Sequence, residues 1–166
     1  MSIGFAVHLL AGLLLVSMAS FALIEARSSS LIPKSLFLWP FSGLLFGILT
    51  ALAAFRMKNP ALPALGIVMI LCSLQAFLVN IRKLSRWPSG AVWLLLVLVC
   101  LIHQIPYSGA EEPLFRTFLR RFSGFLWAAV GITKVLSEKT VSQEGAVPPW
   151  ILLLYGQAIL IASFPS

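Results

Sequence analysis

The amino-acid sequence predicts an all-α integral membrane protein with about six transmembrane helices. Of its 166 residues, 60% are hydrophobic and only 10% are charged, whereas soluble domains are roughly 45–50% apolar and about 25% charged. The mean hydropathy of +0.99 agrees with that excess. The apolar residues form long uninterrupted runs, and a backbone exposed to lipid must satisfy its own hydrogen bonds. Helices are therefore expected rather than an alternating β-barrel pattern.

Three apolar segments are predicted in the first half of the chain. Residues 3–24 carry no charge and no basic residue precedes them, which favours a retained helix over a secretory signal. The second segment covers about residues 35–55, with Trp39 expected at the membrane interface. The third covers about residues 61–81 and follows Pro60, a residue that favours a helix start.

The second half predicts three further segments. The fourth opens near Trp87 and ends near Ile105. Residues 106–121 are polar and are expected to include an amphipathic helix in the lipid headgroups that then turns to span. The fifth segment continues to about residue 136 and the sixth covers residues 150–164. Both are short for a span of roughly 17 or more residues, so four spans with a re-entrant or interfacial C-terminal hairpin is the alternative.

A short motif indicates an internal repeat within this single polytopic domain. Residues 41–43 read Phe-Ser-Gly and residues 122–124 read the same, an offset of 122 − 41 = 81. The same offset carries each of the first three segments onto one of the last three. Because each half would contain an odd number of helices, the halves would have inverted topology. The hypothesis is that residues 1–83 and residues 84–166 are the two copies of an internal repeat.

The charges favour a lipid partner over a nucleic acid. The chain has 12 Lys and Arg against 5 acidic residues, for a net charge of +7. The basic residues cluster at segment ends, where cations reach headgroups or water. Headgroup contacts are predicted for Arg116, Arg120 and Arg121. All five acids are glutamates in predicted loops, so paired carboxylates inside the membrane are not expected.

Two histidines are candidate ligands of a b-type haem. His8 lies near the start of the first segment and His103 near the end of the fourth, which places both near one membrane interface if spans alternate. Two neutral imidazoles on facing helices can ligate haem iron. The simpler interpretation is that each histidine is hydrogen-bonded near the headgroups.

Other polar residues fall inside the predicted spans, where they are energetically costly and often functional. Gln75 and Gln157 lie near the middle of the third and sixth segments, so they are predicted to line a solute path or to join helices. Lys134, near the end of the fifth segment, is expected to snorkel to the interface.

These patterns favour a non-catalytic channel or facilitator for a small uncharged solute. The alternative is an integral subunit of a larger redox, photosynthetic or assembly complex in the membrane, with haem or pigment held by His8 and His103. Partners would be the bilayer, other membrane subunits or further copies of the chain. A membrane enzyme ranks last, because the sequence offers no acid–base or nucleophile constellation.

Overall fold

The computed structural model describes residues 3–27, 37–57, 61–81, 90–103, 114–139 and 146–163. Within these ranges the chain forms six α-helices and no strand, which confirms the all-α class. The helices are α1 (Ile3–Arg27), α2 (Leu38–Met57), α3 (Ala61–Asn80), α4 (Trp93–His103), α5 (Leu114–Lys139) and α6 (Pro149–Ala162). A 3₁₀ turn, Gly90–Val92, leads into α4.

The six helices pack as a closed ring. Each helix contacts the next one along the chain, and α6 contacts α1. Neighbours are antiparallel: Gly12 in the first half of α1 lies against Ala158 and Ala162 late in α6, while Ser20 bonds to the Tyr155 hydroxyl at 2.7 Å. We call the end of the ring where α1 begins the near end and the end where α1 finishes the far end.

An aromatic pair fills the centre of the ring. Phe46 of α2 and Trp127 of α5 have ring centroids 5.6 Å apart, and both side chains are buried. These two helices lie opposite each other rather than side by side. The pair therefore crosses the middle of the ring and occupies the space that a continuous pore would need.

The outer surface of the ring is apolar on every helix. Large exposed side chains include Leu13, Leu52, Ile67, Leu98, Phe125 and Ile159, one from each helix in order. Two helical stretches, Phe5–Arg27 and Pro63–Asn80, are long and apolar enough to cross a membrane. Three shorter apolar stretches are Leu38–Ala54, Gly90–Ile102 and Pro149–Ala162.

Helix α5 differs from its prediction because it is continuous. The expected change of direction between a headgroup helix and a spanning helix is absent from Leu114–Lys139, which forms 26 residues of uninterrupted helix. This stretch contains no proline. One of its glycines, Gly131, serves close packing, since a Cβ there would lie 2.8 Å from the Trp93 carbonyl oxygen of α4.

Candidate functional site

A polar and aromatic stripe runs along the face of α5 that points into the ring. It consists of Ser123, Trp127, Lys134 and Glu138, spaced by four, seven and four residues and therefore on one side of the helix. At 1.5 Å per residue it extends about 22 Å. The opposite, exposed face carries Phe118, Phe122, Phe125, Ile132 and Leu136. Helix α5 thus directs Lys134 and Glu138 inward, and apart from Arg121 the exposed side chains of its described residues are apolar.

Lys134 lies in a cage of three tryptophans. Its Nζ is 2.5 Å from Glu138 Oε1, one helical turn along α5, and both side chains are 9% exposed. The same Nζ lies 4.6 Å from the ring centroid of Trp150, 5.2 Å from that of Trp39 and 5.9 Å from that of Trp93. We call these three rings the tryptophan cage.

Helix direction explains how the cage is assembled. Its three tryptophans lie at or near the first residue of α2, α4 and α6, whereas Lys134 lies in the last turns of α5. Antiparallel packing brings all four positions to the far end of the ring. A fifth helix joins them, because Trp93 Nε1–H donates to Gln75 Oε1 of α3 at 3.1 Å. Gly90 makes room for Glu138, whose Cγ would lie 3.0 Å from a Cβ at that position.

The cage corrects two expectations from the sequence. Lys134 is buried rather than snorkelling to an interface. Trp39 is buried against Lys134 at the far end of the ring, and its depth at the membrane interface stays a prediction. Glu138 lies in a helix and not in a loop. The physical reason is that a carboxylate and three π faces replace the water that an ammonium group would otherwise seek.

A second polar contact lies on the other side of the central aromatic pair. Gln157 of α6 is completely buried, and its Nε2 donates to Ser123 Oγ of α5 at 2.5 Å. Ser123 is one helical turn before Trp127, toward the near end. The predicted glutamines therefore do not meet: Gln75 joins α3 to α4, and Gln157 joins α6 to α5.

The other candidate residues are distributed over the ring. His8 lies on α1 and His103 ends α4, and these helices are opposite rather than neighbouring members of the ring. The His103 side chain lies outside the described residues, so haem ligation stays a prediction. Of the headgroup arginines, Arg120 is half-buried and Arg121 exposed near the start of α5. The side chain of Arg116 also lies outside the described residues.

The sequence contains a signal for the cage that local reasoning missed. Lys134 and Glu138 are spaced i, i+4, the spacing of an intrahelical ion pair. Four of the five tryptophans stand in the first two turns of predicted apolar segments: Trp39, Trp87, Trp93 and Trp150. That pattern is also typical of interfacial aromatic residues, and only the helix order tells which tryptophans surround the lysine.

No protein-family model, curated protein or solved structure matches the chain.

Proposed function

We propose that this chain is a multi-pass membrane protein that lets a small uncharged solute cross the bilayer through the helix ring. The observation that carries the proposal is the inward polar stripe of α5. Amphipathic helices of soluble proteins place their polar face toward water, whereas here the apolar face is outside. Polar residues within membrane helices usually face the bundle interior, where they mark solute or ion paths.

The apolar outer surface supports a membrane location for all six helices. Contiguous exposed apolar surface is rare on soluble monomers, and every helix of the ring contributes to it. Two helical stretches have the length and hydropathy of a span. The shorter helices can cross by local bilayer thinning or with flanking residues that reach the headgroups.

The charge balance of the interior favours a neutral solute. Lys134 and Glu138 compensate each other, while Gln157 and Ser123 are uncharged. Lys134 and Glu138 are the charged residues of the stripe, and its remaining polar contact offers only dipoles, so the dehydration of an ion along the stripe would be poorly compensated. In the conformation described, the aromatic pair closes the middle and the tryptophan cage closes the far end.

We also propose that residues 1–83 and 84–166 are inverted repeats. Around the ring, α1, α2 and α3 are followed by α4, α5 and α6, so each helix lies opposite its counterpart. The offset of 127 − 46 = 81 relates Phe46 to Trp127, which contact each other. A two-fold axis in the membrane plane would reverse the ring order of the second half, whereas α4, α5 and α6 continue it in the same direction. The support for inverted repeats, which are common in transporters, is therefore the offset in the sequence.

Solute flux in vesicles tests the proposal. The purified protein is reconstituted into proteoliposomes, and glycerol entry is followed by stopped-flow light scattering against protein-free vesicles. Phe46→Ala removes half of the aromatic pair, so we expect a several-fold increase in glycerol flux. Phe41→Ala is the matched control, because Phe41 is on the same helix but 56% exposed, and its flux should equal that of the unmodified protein.

Two results would contradict facilitated transport. One is flux equal to that of protein-free vesicles for both the unmodified protein and Phe46→Ala. The other is an equal increase for Phe46→Ala and Phe41→Ala, which would indicate leaky vesicles. Absence of flux together with co-purification of other membrane subunits in fixed stoichiometry would favour the integral-subunit alternative.

A further inference from the structure

Gln157 has a polar atom that the described part of the chain does not satisfy. Its Nε2 donates to Ser123 Oγ, but its Oε1 has no hydrogen-bond partner among the described residues. The side chain is fully buried. If the amide were rotated by a half-turn, the NH₂ group would be the unpaired one instead. Buried polar groups are nearly always hydrogen-bonded, so a specific reason is needed here.

Ser73 of α3 presents a second case. Its Oγ is buried and, within the described ranges, has no hydrogen-bond partner. It faces Gly43 of α2, where a Cβ would lie 2.5 Å from the hydroxyl oxygen. The absence of a side chain at Gly43 therefore creates the space that the hydroxyl occupies.

The two polar groups occupy comparable places in the two halves. Each lies against a Phe-Ser-Gly motif, Ser73 against residues 41–43 and Gln157 against residues 122–124. The repeat offset carries Gln157 to 157 − 81 = 76, about one helical turn from Ser73. Gly43 is toward the far end from Phe46, and Ser123 is toward the near end from Trp127. The two groups thus flank the central aromatic pair.

We propose that Gln157 and Ser73 are two hydrogen-bonding subsites for a neutral solute with an O–H or N–H donor. The proposal rests on the function proposed above and narrows its substrate class. In the amide orientation described, the Gln157 carbonyl can only accept, so it requires a donor, while the Ser73 hydroxyl can donate or accept. A solute without a polar hydrogen would leave the Gln157 carbonyl unsatisfied, which is strongly unfavourable in a buried site.

Nuclear magnetic resonance of the glutamine side chains tests this directly. The chain contains four glutamines, so selective isotopic labelling gives few signals, and Gln157→Leu identifies the relevant one. The probes are 2-propanol and acetone, which have equal numbers of heavy atoms but differ in the O–H donor. We expect 2-propanol to shift the Gln157 signal saturably. Acetone should bind more weakly by a factor of about ten or more.

Gln75 is an internal control in the same spectrum. It is a buried glutamine whose carbonyl already accepts the Trp93 indole N–H, so its signal should not move. Equal shifts of both glutamines, equal binding of both probes, or no shift with either probe would overturn the inference. The last result would indicate that an ordered water satisfies the amide. Should Gln157→Leu fail to fold, Ser123→Ala serves for the assignment.

The flux experiment separates this inference from the proposed function. Glycerol flux without a Gln157 shift would leave facilitation standing and overturn the subsites. A donor-selective Gln157 shift without flux would support the subsites and contradict facilitation.

Discussion

At the scale of single residues, the Lys134–Glu138 ion pair is the charged contact inside the tryptophan cage at the far end of the ring. Both side chains are only 9% exposed, and Lys134 contacts both Glu138 and the tryptophan cage. A buried pair of this kind adds little net stability compared with well-packed apolar residues, but losing only one partner is strongly destabilising. This asymmetry makes the pair testable.

Lys134→Met should lower the free energy of unfolding by about 3–5 kcal/mol, because it leaves the Glu138 carboxylate buried without a cation. The double variant Lys134→Met/Glu138→Leu should recover most of that loss. Thermal unfolding in detergent measures both effects. Arg121→Met, which removes an exposed cation from the same helix, should stay within about 0.5 kcal/mol of the unmodified protein. A double variant as unstable as the single one would contradict a mutually dependent pair.

Residue type alone predicted which side chains are special but not what they contact. Gln75, Gln157 and Lys134 were identified because polar groups inside apolar segments are costly. Their partners, Trp93, Ser123 and the cage, are distant in sequence. Only Glu138, the partner of Lys134, is close in sequence, at a distance of four residues. Reasoning from segment ends assigned it to a loop.

At the scale of helices, glycines set the spacing of α2 and α3. A Cβ on Gly47 would lie 2.8 Å from the Gly66 carbonyl oxygen, and one on Gly66 would lie 2.7 Å from the Ala51 nitrogen. Both obstacles are backbone atoms, which cannot move aside as a flexible side chain can. Small residues commonly permit such close approach between membrane helices.

Gly47→Ala and Gly66→Ala should each destabilise the protein by about 1–3 kcal/mol, because the two helices must separate to admit a methyl group. Gly156→Ala is the control, since a Cβ at that helical position meets nothing within 4 Å, and it should be neutral or stabilising by up to about 1 kcal/mol. Denaturation midpoints in one detergent provide the comparison. Equal losses at all three positions would show that the α2–α3 contact is not the cause.

The sequence predicted the helices better than it predicted their ends. Apolar runs bounded by charges or prolines located all six, and α3 and α6 begin within a residue of expectation. It missed the 3₁₀ turn before α4 and the continuity of α5. Both depend on packing: Gly90 lies against Glu138, and Gly131 brings α5 close to α4.

At the scale of the whole molecule, ring closure could not be derived from the sequence. Hydropathy counts apolar segments, but the contact of α6 with α1 depends on which faces complement each other. The sequence did provide the offset that relates opposite helices. Whether the halves share an origin stays a prediction that rests on the offset between the two Phe-Ser-Gly motifs.

Cysteine labelling in sealed vesicles tests the six-span topology. Arg27→Cys and Ala146→Cys, both exposed at the far end, should react with a membrane-impermeant maleimide from one side only. Ala162→Cys, exposed at the near end, should react from the other side. The native Cys72 and Cys100 are buried thiols outside any disulfide, so the unmodified protein should stay unlabelled. Labelling of Ala146→Cys and Ala162→Cys from the same side would indicate the four-span alternative.

The seam between α6 and α1 has a mechanical consequence. A single chain supplies five peptide connections among six consecutive helices, yet the ring has six contacts between neighbours. This last seam alone has no covalent link and is held by the close approach at Gly12 and the Ser20–Tyr155 bond. The packing of α6 against α1 is more extensive than that of α3 against α4, so non-covalent contacts alone close the ring here. An acyl chain that enters sideways from the bilayer at this seam would have to displace that packing without stretching any connecting loop.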